Sequence, residues 1–221
     1  MSINPKSVSR LSRYRNALYR FKSFNAPWIY SEQLAMSLGV TAAQVRKDFS
    51  FFGVTGKRKS GYQVEALIEK LDEILGKNGR SKAIIAGFGP MGKTLYQEYF
   101  MNDPGIEIVA AFDNPAPGNG SIDPETRLPL MPLSSLVNFA SANRVRYGII
   151  AFSGGAAQQA LDFMVLAGIK GIISLSAIDL KCPKTCVVNG INPLREMENV
   201  MYFSERLPKN KRGAGEGKDA R

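Results

Sequence analysis

Two stretches hold the residue types best suited to chemistry. Gly87-Phe88-Gly89-Pro90-Met91-Gly92 fits the pattern G-x-G-x-x-G and follows the apolar run "AIIA". In that pattern the first glycine permits a tight turn. The second lets the backbone approach a pyrophosphate, and the third lets a helix pack closely on its strand. The pyrophosphate then rests on unpaired N–H groups at the positive end of the helix dipole. Asp113 closes the next apolar run, "IVAAFD", 21 residues after Gly92. A carboxylate there can hydrogen-bond ribose hydroxyls and would repel a 2′-phosphate. The set predicts a dinucleotide site preferring NAD(H) to NADP(H), with a structural domain that binds nothing as the bland alternative.

The second stretch is "TAAQVRKDFSFFG", residues 41–53. Ala42, Val45, Phe49 and Phe52 follow the spacing of a buried helical stripe, which leaves Gln44, Arg46, Lys47 and Ser50 outside it. Charged residues on a helix normally face only water. Here the segment is followed by "GKRKSG", which sets Lys57, Arg58 and Lys59 between two glycine turns, as in a small β-hairpin or wing. If this unit meets a duplex, Gln44 and Arg46 can reach base edges in the major groove. Lys47, Lys57, Arg58 and Lys59 would then hold phosphates or the minor groove.

Other chemistry is sparse. The chain has no histidine, and its two cysteines, Cys182 and Cys186, lack the further ligands a zinc site needs. Their C-x-x-x-C spacing is not the redox C-x-x-C, so they read as two thiols near a strand of a reduced, cytoplasmic protein. Lys93 is a conceivable acid–base residue, but no constellation surrounds it, and metal binding and catalysis are not expected.

Charge divides the chain. Residues 1–80 carry 14 Lys/Arg against 6 Asp/Glu, residues 81–205 carry 9 against 11, and residues 206–221 carry 6 against 2. A basic first third joined to a near-neutral remainder is the electrostatic footprint of nucleic-acid binding. No apolar run approaches the roughly 18–20 residues that span a bilayer. The polar, basic N-terminus is not a secretory signal.

The elements that must position these residues follow from periodicity. In residues 9–24, Leu11, Tyr14, Leu18 and Phe21 form an apolar helical stripe that ends before Pro27. "SEQLAMSL", with Ser31 as its expected cap and Gly39 as its stop, makes a second helix, and Thr41 and Gln44 form the T-x-x-Q box that opens a third. Two helices joined across "GVT" make a helix-turn-helix. "VEALIEKLDEIL" is a fourth helix before the break at "GKNGRS". Beyond it, β-rich runs ("KAIIAG", "IEIVAAFD", "YGIIAFS", "KGIISLS") alternate with helical ones, which argues for a parallel sheet of βαβ units. "DNPAPGNGSIDPETRLP" reads as a loop, and "LREMENVMYFSERL" as an amphipathic helix. The expected organisation is α/β: a winged helix-turn-helix domain over 1–78, a Rossmann-like domain over 81–206, and a disordered basic tail over 207–221.

Taken together, residues 4–205 resemble the bacterial redox-sensing repressors called Rex. The resemblance rests on "LGVTAAQVRKDFSFFG", "GKRKSGY" followed by "VEALIEKLDEILG", "IVAAFD", "AAQQALDFMVLAGIKGII" and the late "YFS". It implies a homodimer whose winged helices read a palindromic operator and whose Rossmann domains bind NADH, with the last helix (193–206) exchanged between subunits. It also implies that NADH closes the dimer and releases DNA, whereas the NAD+ form permits binding. Carried over, Arg46, Lys47, Lys57 and Arg58 are DNA contacts, and Gly87, Gly89, Gly92 and Asp113 are cofactor positions. The chain departs from the family at Pro90 (usually asparagine), Glu98 (tyrosine), Phe152–Gly154 ("TVP") and Asn192 (aspartate). The alternatives left open are a winged-helix repressor whose Rossmann shell ignores NADH, and an NAD-dependent dehydrogenase.

Overall fold

The structure is a computed structural model and describes residues 5–57, 60–77, 79–114 and 121–207. The chain divides between Ser81 and Lys82 into two compact units.

In the first unit, α1 (Pro5–Ser23), α2 (Ser31–Leu38), α3 (Ala42–Phe51) and α4 (Val64–Ile74) surround one core, with a two-stranded antiparallel sheet of β1 (Trp28–Ile29) and β2 (Tyr62–Gln63). The stripes read from the sequence face this core, with Phe21, Ala42 and Phe52 only half-buried. Leu11, Tyr14 and Leu18 of α1 pack with Leu34, Val45, Phe49, Val64, Leu67 and Leu71. Each such aliphatic or aromatic side chain contributes about 1.5–3 kcal/mol through burial. The Phe49 ring sits at the centre, edge-on to Tyr14 at 5.4 Å and to Tyr62 at 5.0 Å.

The helix starts differ from expectation in detail. The cap of α2 is Tyr30, not Ser31, because Gln33 Oε1 accepts the Tyr30 N–H at 2.8 Å and satisfies the turn from inside the helix. At α3 only half of the T-x-x-Q box forms. Thr41 Oγ1 accepts the Gln44 N–H at 3.1 Å, but the Gln44 amide turns away to Asp48.

The second unit is a seven-stranded sheet with helices on both faces. Its strands are β3 (Ser81–Ala86), β4 (Ile106–Asp113), β5 (Ser121–Ile122), β6 (Pro129–Pro132), β7 (Tyr147–Ile150), β8 (Gly171–Ser174) and β9 (Val187–Gly190), in the order β5-β6-β4-β3-β7-β8-β9. Leaving out the edge strand β5, this is the doubly wound order 3-2-1-4-5-6. The residues of β3 alternate between two cores. Ile84 and Ala86 pack with Phe112, Leu136 and Leu161, while Ala83 and Ile85 pack with Phe88, Ile108 and Ile149. The expected all-parallel sheet is corrected at one edge: β5 runs antiparallel to β6 and lies inside the stretch read as loop.

The connecting helices are α5 (Pro90–Leu95), α6 (Leu136–Ala142) and α7 (Gly155–Leu166). α5 runs on into a π-helical turn, Tyr96–Phe100, in which the Met101 N–H bonds Tyr96 O at 2.7 Å. The last helix, α8 (Pro193–Ser204), buries none of its residues. Its apolar side chains Leu194, Met197, Val200 and Phe203 are each more than half exposed. The tail expectation for 207–221 lies outside the described residues from 208 onwards.

Candidate functional site

The outward face of α3 is held in place by a carboxylate that faces inward. Asp48 sits three residues after Val45 and is buried, in line with the apolar stripe. Arg10 grips it with two bonds of 2.6 Å, Nε to Oδ2 and Nη2 to Oδ1. The Tyr14 hydroxyl donates to Oδ2 at 2.9 Å and the Gln44 amide to Oδ1 at 2.9 Å. Burial pushes the Asp48 carboxyl up, but the bonds from Arg10 and Tyr14 outweigh it and hold it below the ordinary carboxylate range. The same burial, reinforced by the bond to Asp48, pushes the Tyr14 phenol up to about 12. Arg10 and Tyr14 of α1 thus lock onto Asp48 of α3, a tie that sequence reasoning missed. The available signal was the position of Asp48 at i+3 from Val45.

Gln44, expected at base edges, is half-buried and committed to Asp48. Lys47 is exposed. Arg46 is about half exposed, and its Nη1 donates to Glu32 Oε1 at 2.8 Å and to Ser31 Oγ at 2.9 Å. An exposed pair of this kind is screened by water and adds little to stability, so competing phosphate can displace it readily.

The wing begins as a bridge between Lys57 and Gly61, with Lys57 N–H donating to Gly61 O at 2.8 Å. Gly61 has φ +74°, and a Cβ there would fall 2.4 Å from Ile29 O, so the hairpin closes against β1 only with glycine at this position. The Lys57 ammonium lies 5.5 Å over the Trp28 ring. Arg46 and Lys57 line one open cleft with Tyr30, Gly56 and Tyr62. Helix and wing thereby present cations to a common space. Arg58 and Lys59 lie outside the described residues.

In the second unit the glycine loop leaves β3 beside β7, the point where the connections turn in opposite directions. Gly87 has φ +92°, and a Cβ would meet Ala151 C and Phe152 N at 2.7 Å, where β7 exits. A Cβ on Gly92 would sit 2.1 Å from Gly87 O. A Cβ on Gly89 would meet nothing within 4 Å. The first and third glycines are therefore steric necessities of the fold, while the second faces open space that a side chain would enter. Pro90 is the first residue of α5, where its missing N–H breaks no helical bond. Phe88 is buried and Met91 is about half exposed. Asp113 ties the loop to β4, Oδ2 accepting the Phe88 N–H at 2.9 Å and Oδ1 the Asn114 N–H at 2.7 Å. A carboxylate has roughly four acceptor positions, so two remain for ribose hydroxyls. These residues fit an adenine dinucleotide.

Lys93, the one candidate base, bonds Asp123 at 2.7 Å and Glu125 at 3.4 Å. The hydrogen bond that Lys93 donates to Asp123, itself buried, raises the lysine above its ordinary value and keeps it protonated. Among the described residues no group of three or more His, Cys, Asp or Glu could hold a metal ion, and no helix is long and apolar enough to cross a membrane.

A family model described as "Putative DNA-binding protein N-terminus" matches residues 2–50. The redox-sensing transcriptional repressor Rex of Streptococcus agalactiae is 31% identical over 202 residues, covering 91% of this chain and 96% of its own. The chain belongs to the Rex family of redox-sensing transcriptional repressors. The Rex protein of Streptococcus thermophilus is 29% identical over 206 residues, 93% of this chain and 94% of its own. The crystal structure of RSP, a Rex-family repressor, in complex with β-NAD+ and operator DNA matches with a TM-score of 0.82 at 27% identity, over 93% of this chain and 94% of that one. RSP in complex with β-NADH matches with a TM-score of 0.76, also at 27% identity, over 93% of this chain and 96% of that one. The family consists of repressors, and this Rex-family chain is not an enzyme.

The departures from the Rex pattern fall at helix starts and at the π turn. Asn192 caps α8, its Oδ1 accepting the N–H groups of Leu194 at 3.0 Å and Arg195 at 3.4 Å, as an aspartate would. Glu98 lies in the π turn beside the exposed Tyr99. Gly154 ends the "FSG" segment at φ +61° and opens α7.

Proposed function

We propose that this chain is a cytoplasmic homodimer that represses transcription by binding a palindromic operator, and that the NADH/NAD+ ratio sets its affinity. The observation that carries the cofactor half is the contrast within the glycine loop: two glycines packed against backbone, and the middle one facing open space. Gly87, Phe88, Gly89, Pro90, Met91, Gly92 and Asp113 hold the dinucleotide. The helix start and loop meet the pyrophosphate, and Asp113 meets the ribose. Bound nicotinamide supplies the redox difference, a positive ring in NAD+ and a neutral one in NADH.

Arg46, with Gln44 after release from Asp48, reads base edges, while Lys47, Lys57, Arg58 and Lys59 hold phosphates. The working division is a DNA-binding domain over 1–78 and a dinucleotide-binding, dimerising domain over 81–206. RSP, which has been captured with NAD+ and operator DNA and also with NADH, supports this reading. The exposed apolar face of α8 supports a partner subunit that covers it. A ligand switches such a dimer only by preferring one arrangement over another, and equal affinity for both would shift nothing.

Paired variants test the two halves. Arg46→Ala should weaken operator binding and leave NADH binding intact, as read by fluorescence anisotropy and NADH titration. Asp113→Ala should lower NADH affinity and leave DNA binding by the nucleotide-free protein intact. If Asp113→Ala binds NADH as the parent does, the ribose role is wrong.

A further inference from the structure

The two cysteines lie between β8 and β9 in a loop that the fold holds firmly. Gln158 of α7 clamps Lys181 from both sides, Oε1 accepting its N–H at 2.9 Å and Nε2 donating to its carbonyl at 3.2 Å. A turn follows, in which the Cys186 N–H donates to Pro183 O at 3.1 Å. The turn folds Cys182 back over its end, with Sγ 3.4 Å from both Cys186 O and Pro183 O. The turn thereby brings the Cys182 thiol against the backbone of Cys186. The two thiols differ in access. Cys186 is 8% exposed and packs into the core below the sheet, while Cys182 is partly exposed and lines a cleft of about 450 Å³ with Ser176, Asp179, Asn189 and Arg195.

We propose that Cys182 and Cys186 form an oxidisable dithiol site in which a hydroperoxide reacts with Cys182 and Cys186 closes an intramolecular disulfide. In the first step the Cys182 sulfur attacks the peroxide. The O–O bond breaks, the sulfur gains a hydroxyl as sulfenic acid, and an alcohol or water departs. In the second step the Cys186 sulfur attacks the Cys182 sulfur, the S–S bond forms, and the hydroxyl leaves as water with the Cys186 proton. Two thiols lose two electrons and the peroxide gains them. The order follows from the environment. Burial first, then the neighbouring Cys182, pushes the Cys186 thiol up to about 11, so it stays protonated until the sulfenic acid beside it accepts the attack. Such bridges in reducing compartments are transient and sensing, and this one sits on the segment that leads through β9 into α8.

The chain has two cysteines, so the assignment is directly countable. The reduced full-length protein, treated with a molar excess of hydrogen peroxide, should lose both thiols together and become lighter by two hydrogens in intact mass. A reductant should restore both, and bridging should be faster in the folded protein than in urea. Cys186→Ser should stop at a sulfenic acid on Cys182 that dimedone traps, and Cys182→Ser should form none. The wild-type mass and thiol count stand whether or not these variants fold. Retention of both thiols, a bridge between two chains on a non-reducing gel, or faster bridging in urea would overturn the proposal.

Discussion

Asp48 shows what a single charge can do inside a reading unit. It is buried, yet two cationic bonds from Arg10 and one from the Tyr14 hydroxyl keep it ionised, so α3 is tied to α1 by charge as well as by apolar packing. Removing the part-buried Arg10 leaves the buried carboxylate short of its main donors and costs about 1–3 kcal/mol. Arg10→Met should therefore lower the stability of the first unit by about that amount in urea denaturation; a change below about 0.5 kcal/mol would count against the lock. The folded carboxyl lies below its unfolded value of about 3.9. Its stabilisation is thus complete above the unfolded value and fades as pH falls through the lower folded one. Asp48→Asn should lack that acid dependence. Tyr14 acts at the other end: its pKa is raised to about 12, so its stabilisation fades as pH rises past about 10 towards that value. The buried stripe of α3 was legible from spacing alone. The fate of Gln44 was not, because an outward position still allows a side chain to bond four residues along its own helix.

Among the elements, the glycine loop divides its work by position. Gly92→Ala forces a Cβ to 2.1 Å from the Gly87 carbonyl, which the backbone can relieve only by moving. It should lower both thermal stability and NADH affinity. Gly89→Val projects into open space and should leave the melting temperature unchanged while weakening NADH by about tenfold or more, equivalent to about 1.4 kcal/mol. Equal stability losses in the two variants would refute the division. The strand and helix alternation and the fingerprint could be read from the sequence because apolar periodicity and glycine spacing are local. β5 could not, since a two-residue strand has no period. Nor could the π turn after α5, which has no residue signature, or the Tyr30 cap, which depends on where the Gln33 side chain bonds.

For the whole molecule, the basic first third and the uncovered face of α8 point outward to partners. Leu194, Met197, Val200 and Phe203 would not be left to water in a stable monomer, and a second subunit is the occupant the family reading requires. Val200→Glu should convert the dimer to a monomer by sedimentation velocity while helix content is unchanged; persistence of the dimer would place the subunit contact elsewhere. The departures at Pro90, Glu98, Phe152–Gly154 and Asn192 all fall in the unit that would distinguish the two coenzymes, which makes the coenzyme response the point most worth measuring. The decisive experiment is operator binding at fixed salt, titrated separately with NADH and with NAD+. The account predicts release by NADH and retention with NAD+. Operator affinity that stays constant under both coenzymes would contradict it.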